Sequence, residues 1–175
     1  MIHLSPPLAR LVVTPHGAYG VPRRRRAGTH HGLDFEAQTG DPVMAAAPGV
    51  VDRQGYDRPV AQGGGGGGTF VVLRHAGGFE TAYMHLADVA LSDGTAVAAG
   101  DVIGHAGSSG TAVSGAHLHF ELRQYVGGKR VRLDPSEALG LRSPSSPSSP
   151  SAGPGGVAVA GLALWWLSSL FGGRG

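Results

Sequence analysis

The sequence predicts an all-β chain: a small antiparallel β-sheet or sandwich, followed by a disordered linker and a short apolar C-terminal helix. Three observations carry that prediction. Glycine and proline supply 31 and 12 of the 175 residues, too many interruptions for a helical bundle or coiled coil. From about residue 4 to residue 142, apolar runs of strand length alternate with turn residues. No window sustains an apolar period of 3.6 residues. Disorder of the whole chain is excluded by 41% hydrophobic residues and a net charge of only +2.

The elements follow in order. The N-terminus, MIHLSPPLARLVV, has no basic start, long apolar core or small-residue cleavage site, so a secretory signal is not expected there. Strands are expected over Pro42–Val51, Thr69–Arg74, Phe79–Leu86, Thr95–Ala99, Asp101–His105 and His117–Gln124. Glycines, prolines or Asp-Gly pairs separate them. Gly63 to Gly68 is an unbroken glycine run that no strand interior tolerates. It is expected to be a flexible loop leading into the strand at Thr69. These elements make up a domain over residues 1–142.

Residues 143–156 are a Ser/Pro/Gly-rich linker, with proline at every third position of SPSSPSSPS and no charge. Such a segment buries nothing and acts as an extended spacer. Residues 157–171, VAVAGLALWWLSSLF, are uncharged and apolar, but a bilayer span takes about 20 such residues. Membrane insertion, packing on a partner and docking back onto the domain all stay open for this segment. The tryptophans near its middle, away from any interfacial belt, weigh against a span.

Cysteine is absent, so any metal site must use His, Asp or Glu. Nine histidines stand out at this length. The 14 basic residues against 12 acidic ones include the run Arg23 to Arg26, which reads as a solvated loop or as a weak attraction to anionic envelope polymers. Nucleic-acid binding is not expected, because it needs a wider basic surface with interleaved aromatics.

Three short stretches carry the chemistry. In HLHFEL, strand alternation puts His117, His119 and Glu121 on one face and Leu118, Phe120 and Leu122 on the other. In THHGLDFE, His30, Gly32 and Asp34 share a face of an extended chain, and Gly32 leaves room for its neighbours to converge. His31 falls on the other side and reads as a bystander. In TAYMHL, Tyr83 and His85 share a face while Leu86 points inward. Each stretch alone also fits an ordinary surface or strand-end histidine. Together, a His–Asp pair and one further histidine make a three-ligand set with an open fourth position, the composition of a catalytic zinc site.

The ordered set HxGxD, YxHL and HLHFEL resembles the lysostaphin-type zinc metallopeptidases, which cut peptide cross-links in bacterial peptidoglycan. The resemblance runs from about residue 10 to residue 124 and includes VTPHGAYGVP, VMAAAPGVV and the Gly-rich stretch SDGTAVAAGDVIGHAGSSG before HLH. It implies one Zn2+ held by His30, Asp34 and His119, with His85 and His117 as non-ligand catalytic histidines that handle protons or steady the oxyanion. It also implies a zinc-bound water as the nucleophile, its pKa brought towards about 7. The substrate would be the peptide cross-links of peptidoglycan, and the place of action the cell envelope. The motifs leave open whether the bond lies in a stem peptide or a glycine bridge, because both run on the same ligand set, and stem peptides are the preferred reading. A phage lysin, or an envelope protein held to a membrane through residues 157–171, would account for a wall enzyme without a signal peptide.

Two departures mark the chain: Ala116 stands where the family usually has proline, and the glycine run replaces a shorter hairpin end. The alternative function is a zinc- or peptidoglycan-binding module or activator without turnover. A biotinyl or lipoyl carrier is disfavoured, because Lys129 is the only lysine and lacks the flanking pattern.

Overall fold

The structure is a computed structural model that describes residues 2–23, 28–111, 113 and 115–141. Within them it is all-β, as the alternation predicts. The strands are β1 (Leu33–Glu36), β2 (Pro42–Met44), β3 (Gly49–Asp57), β4 (Gly68–Arg74), β5 (Phe79–Val89), β6 (Ala96–Val97), β7 (Val102–Ala106), β8 (His117–Val126) and β9 (Lys129–Leu133). All the pairings are antiparallel, in the order β1-β8-β5-β4-β3-β6. β7 joins β2 to β5, and β9 extends the sheet beside β8.

The expected strand Pro42–Val51 is two strands. Three small buried residues, Ala45 to Ala47, lead to Pro48, which turns the chain between β2 and β3. β1 is short, and no apolar run announces it. β9 is mostly exposed and cationic, held by its hairpin with β8 through Gly127 and Gly128, both at positive φ. Residues 143–156 and 157–171, the expected linker and apolar segment, lie outside the described residues. Among the described residues no helix is long and apolar enough to cross a membrane.

β8 is the strand on which the domain is organised. Leu118, Phe120 and Leu122 are buried in the core, and the Phe120 ring meets Tyr83 edge-on at 5.2 Å and Phe35 at 6.4 Å. Burial of such aromatic side chains is the largest single-residue contribution to a core of this size. The opposite face of β8 presents His117, His119 and Glu121. β1 lies on one side of β8, with Asp34 opposite His119, and β5 lies on the other, with Met84 opposite His119. Three strands therefore carry the polar residues to one place.

Candidate metal centre and active-site groove

Two neighbouring segments set the first pair of side chains. Residues 13–22 run back along the start of β1: Thr14 N–H donates to Asp34 O (2.9 Å), Asp34 N–H to Gly17 O (2.8 Å), and His30 N–H to Val21 O (2.8 Å). Gly32 is required by backbone proximity, since a Cβ there would lie 2.3 Å from the Phe120 carbonyl oxygen. The glycine thus lets β1 close onto β8. Freedom for the neighbouring side chains, the reason the sequence suggested, is secondary.

His30, Asp34 and His119 are brought together, with one ligand atom from each within 4.8 Å of the others. His30 Nε2 lies 3.1 Å from Asp34 Oδ1 and 3.1 Å from His119 Nδ1, and His119 Nδ1 lies 2.7 Å from Asp34 Oδ1. Both imidazoles have their far nitrogen occupied. His30 Nδ1 donates to the Ala18 carbonyl at 3.0 Å, and His119 Nε2 donates to Glu121 Oε1 at 3.2 Å. In the neutral rings this leaves both lone pairs aimed at one point beside a carboxylate oxygen, and a cation resolves the repulsion among them. Donors on a tetrahedral zinc at 2.0–2.1 Å are roughly 3.3 Å apart, close to the spacings here. The donor set fits a metal ion.

Electrostatics agree. Burial opposes ionisation of Asp34, but hydrogen bonds from His119 and His30 outweigh it and hold the carboxyl well below the usual carboxylate range. Burial likewise disfavours a charged His119, yet Asp34 and Glu121 on either side push its basicity up in the metal-free chain. A metal at this point would compete with protonation of the His119 ring.

Behind these three side chains stands a charged layer. Glu121 is buried, and its Oε2 accepts from Arg123 Nε at 2.8 Å and Arg132 Nε at 3.3 Å. Burial works against the Glu121 charge, but the His119 bond and the Arg123 guanidinium outweigh it and hold the group well below the carboxylate range. Buried Arg123 in turn lies 3.9 Å from Glu80. The two-residue period that places His117 and His119 on one face also runs on to Glu121 and Arg123, so this layer could have been read from the sequence.

His85 and His117 sit across the cluster, with ring centroids 4.7 Å apart. His85 Nδ1 donates to Ser109 O at 3.0 Å and His117 Nδ1 to Gly115 O at 2.9 Å, which leaves each Nε2 for the groove. His117 Nε2 is 3.9 Å from Asp34 Oδ1. Burial first, and then His117, push His85 down to about 4, so it is neutral at physiological pH.

The expected shared face of Tyr83 and His85 is not observed. Tyr83 is fully buried in the core, and His85 faces the groove. The reason is a bulge. Thr69 pairs with Leu86 and Phe70 with Met84, which leaves His85 as the extra residue of β5, at φ +65°. It is the one non-glycine residue with positive φ among those described, a conformation that costs about 1–2 kcal/mol. The bulge turns two consecutive side chains, Met84 and His85, into the groove. His31, expected to be a bystander, also lines the groove. The groove holds about 400 Å³, and Arg132, Asp57, Gly65 and Gly67 also line it.

The glycine run is held rather than loose. Gly65 N–H and Gly67 N–H donate to the two oxygens of Asp57, at 3.0 and 2.8 Å, and Gly66 N–H donates to Arg58 O at 2.9 Å. Nothing in the sequence pointed to Asp57, because a carboxylate binding backbone amides eight and ten residues on has no pattern.

The family profile of peptidase family M23 matches residues 28–135. DD-carboxypeptidase/endopeptidase Mpg of Neisseria meningitidis serogroup B is 43% identical over 94 residues, which cover 54% of this chain and 20% of that protein. Peptidoglycan DD-endopeptidase ShyA of Vibrio cholerae is 36% identical over 101 residues, covering 58% of this chain and 22% of its own. The chain thus spans about a fifth of the length of these relatives. The catalytic domain of the antimicrobial peptidase lysostaphin from Staphylococcus simulans superposes with a TM-score of 0.59 at 30% identity, covering 69% of this chain and 86% of that one.

Proposed function

The chain belongs to peptidase family M23, and from that premise we propose that it is a zinc-dependent endopeptidase acting on the peptide cross-links of bacterial peptidoglycan. The observation that carries the reading is the convergence of His30 Nε2, Asp34 Oδ1 and His119 Nδ1, with the far nitrogen of each histidine occupied. His30, Asp34 and His119 would hold one zinc ion. When bound, the ion supplies Lewis acidity, which activates a water as nucleophile and polarises the scissile carbonyl.

The remaining steps fall to the chain. His85 and His117 keep their Nδ1 protons on Ser109 O and Gly115 O, so each presents Nε2 to the reacting atoms. One Nε2 accepts the proton of the attacking water, and that proton is then delivered to the leaving amine. A protonated ring donates a hydrogen bond to the developing oxyanion. The substrate peptide would lie in the groove that these residues line.

Stem-peptide cross-links are favoured over glycine bridges, because the Neisseria and Vibrio relatives carry DD-endopeptidase names. Digestion of purified sacculi followed by mass analysis of the fragments tests the reading. Fragments opened at a stem-peptide amide are expected, and glycine-terminated fragments would reassign the substrate. Sacculi left intact by metal-loaded protein that still binds them would instead favour a binding module. Action in the cell envelope, by phage delivery or by a membrane anchor over residues 157–171, belongs to the same proposal. Deleting residues 152–175 and fractionating the product tests the anchor, which fails if both forms distribute identically.

A further inference from the structure

We propose that Asp57 is a positioning residue. It clamps the glycine run into a wall that holds His85 in its bulged conformation over the metal-ligand cluster. The inference deepens the proposed endopeptidase function and rests on it.

The contacts form one continuous path. Asp57, the last residue of β3, accepts Gly65 N–H on Oδ1 and Gly67 N–H on Oδ2. Two backbone donors on one carboxylate fix the peptide planes between them, and such charge-assisted bonds are stronger than neutral ones. The carbonyl of Gly67 then accepts His85 N–H at 2.9 Å. That amide is the one which the bulge removes from the β4–β5 ladder. The same wall meets the loop that holds the other end of His85. Thr111 N–H donates to Gly66 O at 3.1 Å, and Ser109 gives its Oγ to Thr69 N–H at 2.9 Å and its carbonyl to His85 Nδ1. His85 is thus tied at its amide to one wall segment and at its ring to a loop packed on that wall.

Sterics explain why the run is glycine. A Cβ at Gly64 would lie 2.0 Å from Arg58 O, one at Gly65 2.7 Å from Asp57 Oδ2, and one at Gly68 2.4 Å from the Ser109 carbonyl carbon. The wall must lie against Arg58, the Asp57 carboxylate and the Ser109 backbone with no side chain between. Gly65 and Gly67 also line the groove, so the same packing leaves that wall as bare backbone facing the substrate.

A left-handed histidine persists only when its surroundings over-determine it. Loss of the Asp57 carboxylate frees the Gly67 carbonyl to drift, and a displacement of about 1 Å at a catalytic group costs on the order of 100-fold in rate. Asp57→Ala removes both bonds. Asp57→Asn keeps one acceptor and turns a donor towards the other amide, so it rescues at most half of the clamp. Gly65→Ala attacks the same contact from the other side.

The experiment measures kcat and KM on sacculi fragments, zinc affinity, and amide hydrogen exchange at Gly67 and His85 in the full chain, for wild type and the three variants. The expected result is a fall in kcat of about 10- to 100-fold in Asp57→Ala and Gly65→Ala. Zinc affinity should stay within twofold, and exchange at Gly67 and His85 should speed up. Asp57→Asn should fall between these variants and wild type. Unchanged kcat, or a kcat loss with unchanged exchange, overturns the clamp; so does a loss confined to KM, which would make Asp57 a substrate contact. If wild type itself does not cleave, the endopeptidase reading fails. The exchange result alone then decides whether Asp57 holds the wall.

Discussion

Replacing Glu121 by Gln is the most revealing change to the layer behind His30, Asp34 and His119. Glu121 is 5% exposed, accepts His119 Nε2–H on one oxygen and binds Arg123 and Arg132 through the other. The amide of Gln has one acceptor for these two demands. With its oxygen towards His119, its NH2 meets the Arg123 guanidinium, donor against donor. Flipped, it offers a donor to His119 Nε2 and favours the tautomer whose proton sits on Nδ1, where a metal would bind. The first orientation sets two donors against each other at Arg123 and the second misassigns the His119 tautomer, so the ring is wrongly protonated part of the time. Losing the partner of a metal-bound histidine costs 10–100-fold in affinity, or about 1.4–2.8 kcal/mol. Glu121→Ala is less informative, because it leaves buried Arg123, among the described residues, with Glu80 at 3.9 Å as its one acidic partner, a loss of about 3–5 kcal/mol in folding stability. Competition against a chromophoric chelator measures the zinc affinity of Glu121→Gln directly. An affinity within twofold of wild type, in protein that unfolds at the wild-type urea midpoint, would refute the argument that Glu121 orients His119.

Other expectations follow from the same geometry. Gly32→Ala drives a Cβ to 2.3 Å from the Phe120 carbonyl oxygen; the overpacking should cost about 1–3 kcal/mol and weaken zinc binding, as read by urea unfolding and by the chelator competition. Stripping the metal should lower the stability of wild type by about 2.7 kcal/mol relative to protein at 100 times its Kd, and zinc added back should restore the unfolding midpoint. His75, buried with Nδ1 on Pro48 O at 2.9 Å and Nε2 2.7 Å from Thr81 Oγ1, has its pKa lowered, mainly by burial. The unfolded chain protonates it near 6.5 while the folded chain resists, so its stabilisation is full above that pH and is lost as pH falls towards the folded pKa. Urea unfolding between pH 7.5 and 5 should therefore show a shallower decline in His75→Gln than in wild type, and equal slopes would exclude His75 as the source.

Much of this site was legible because strand periodicity is rigid. A period of two put Phe120 in the core and His119 in the groove with no further information. The spacing of His30 and Asp34 required only an extended chain. What stayed hidden depended on interruptions of that period or on backbone partners. The bulge at His85 separates it from Tyr83, and a bulge leaves no mark in a single sequence. Ala18, Ser109 and Gly115 act through carbonyls that every residue possesses. The glycine run suggested looseness from composition, whereas its order comes from Asp57, a partner fixed only once β3 and β4 have paired.

The central claim is that one metal ion on His30, Asp34 and His119 is needed for peptide-bond cleavage. Metal content and cleavage rate, measured on the same preparations of wild type and His119→Ala, test it most directly. One zinc per chain is expected in wild type and less than a tenth of that in His119→Ala, with cleavage of sacculi in proportion to occupancy. Cleavage at the wild-type rate by metal-free protein or by His119→Ala would contradict it.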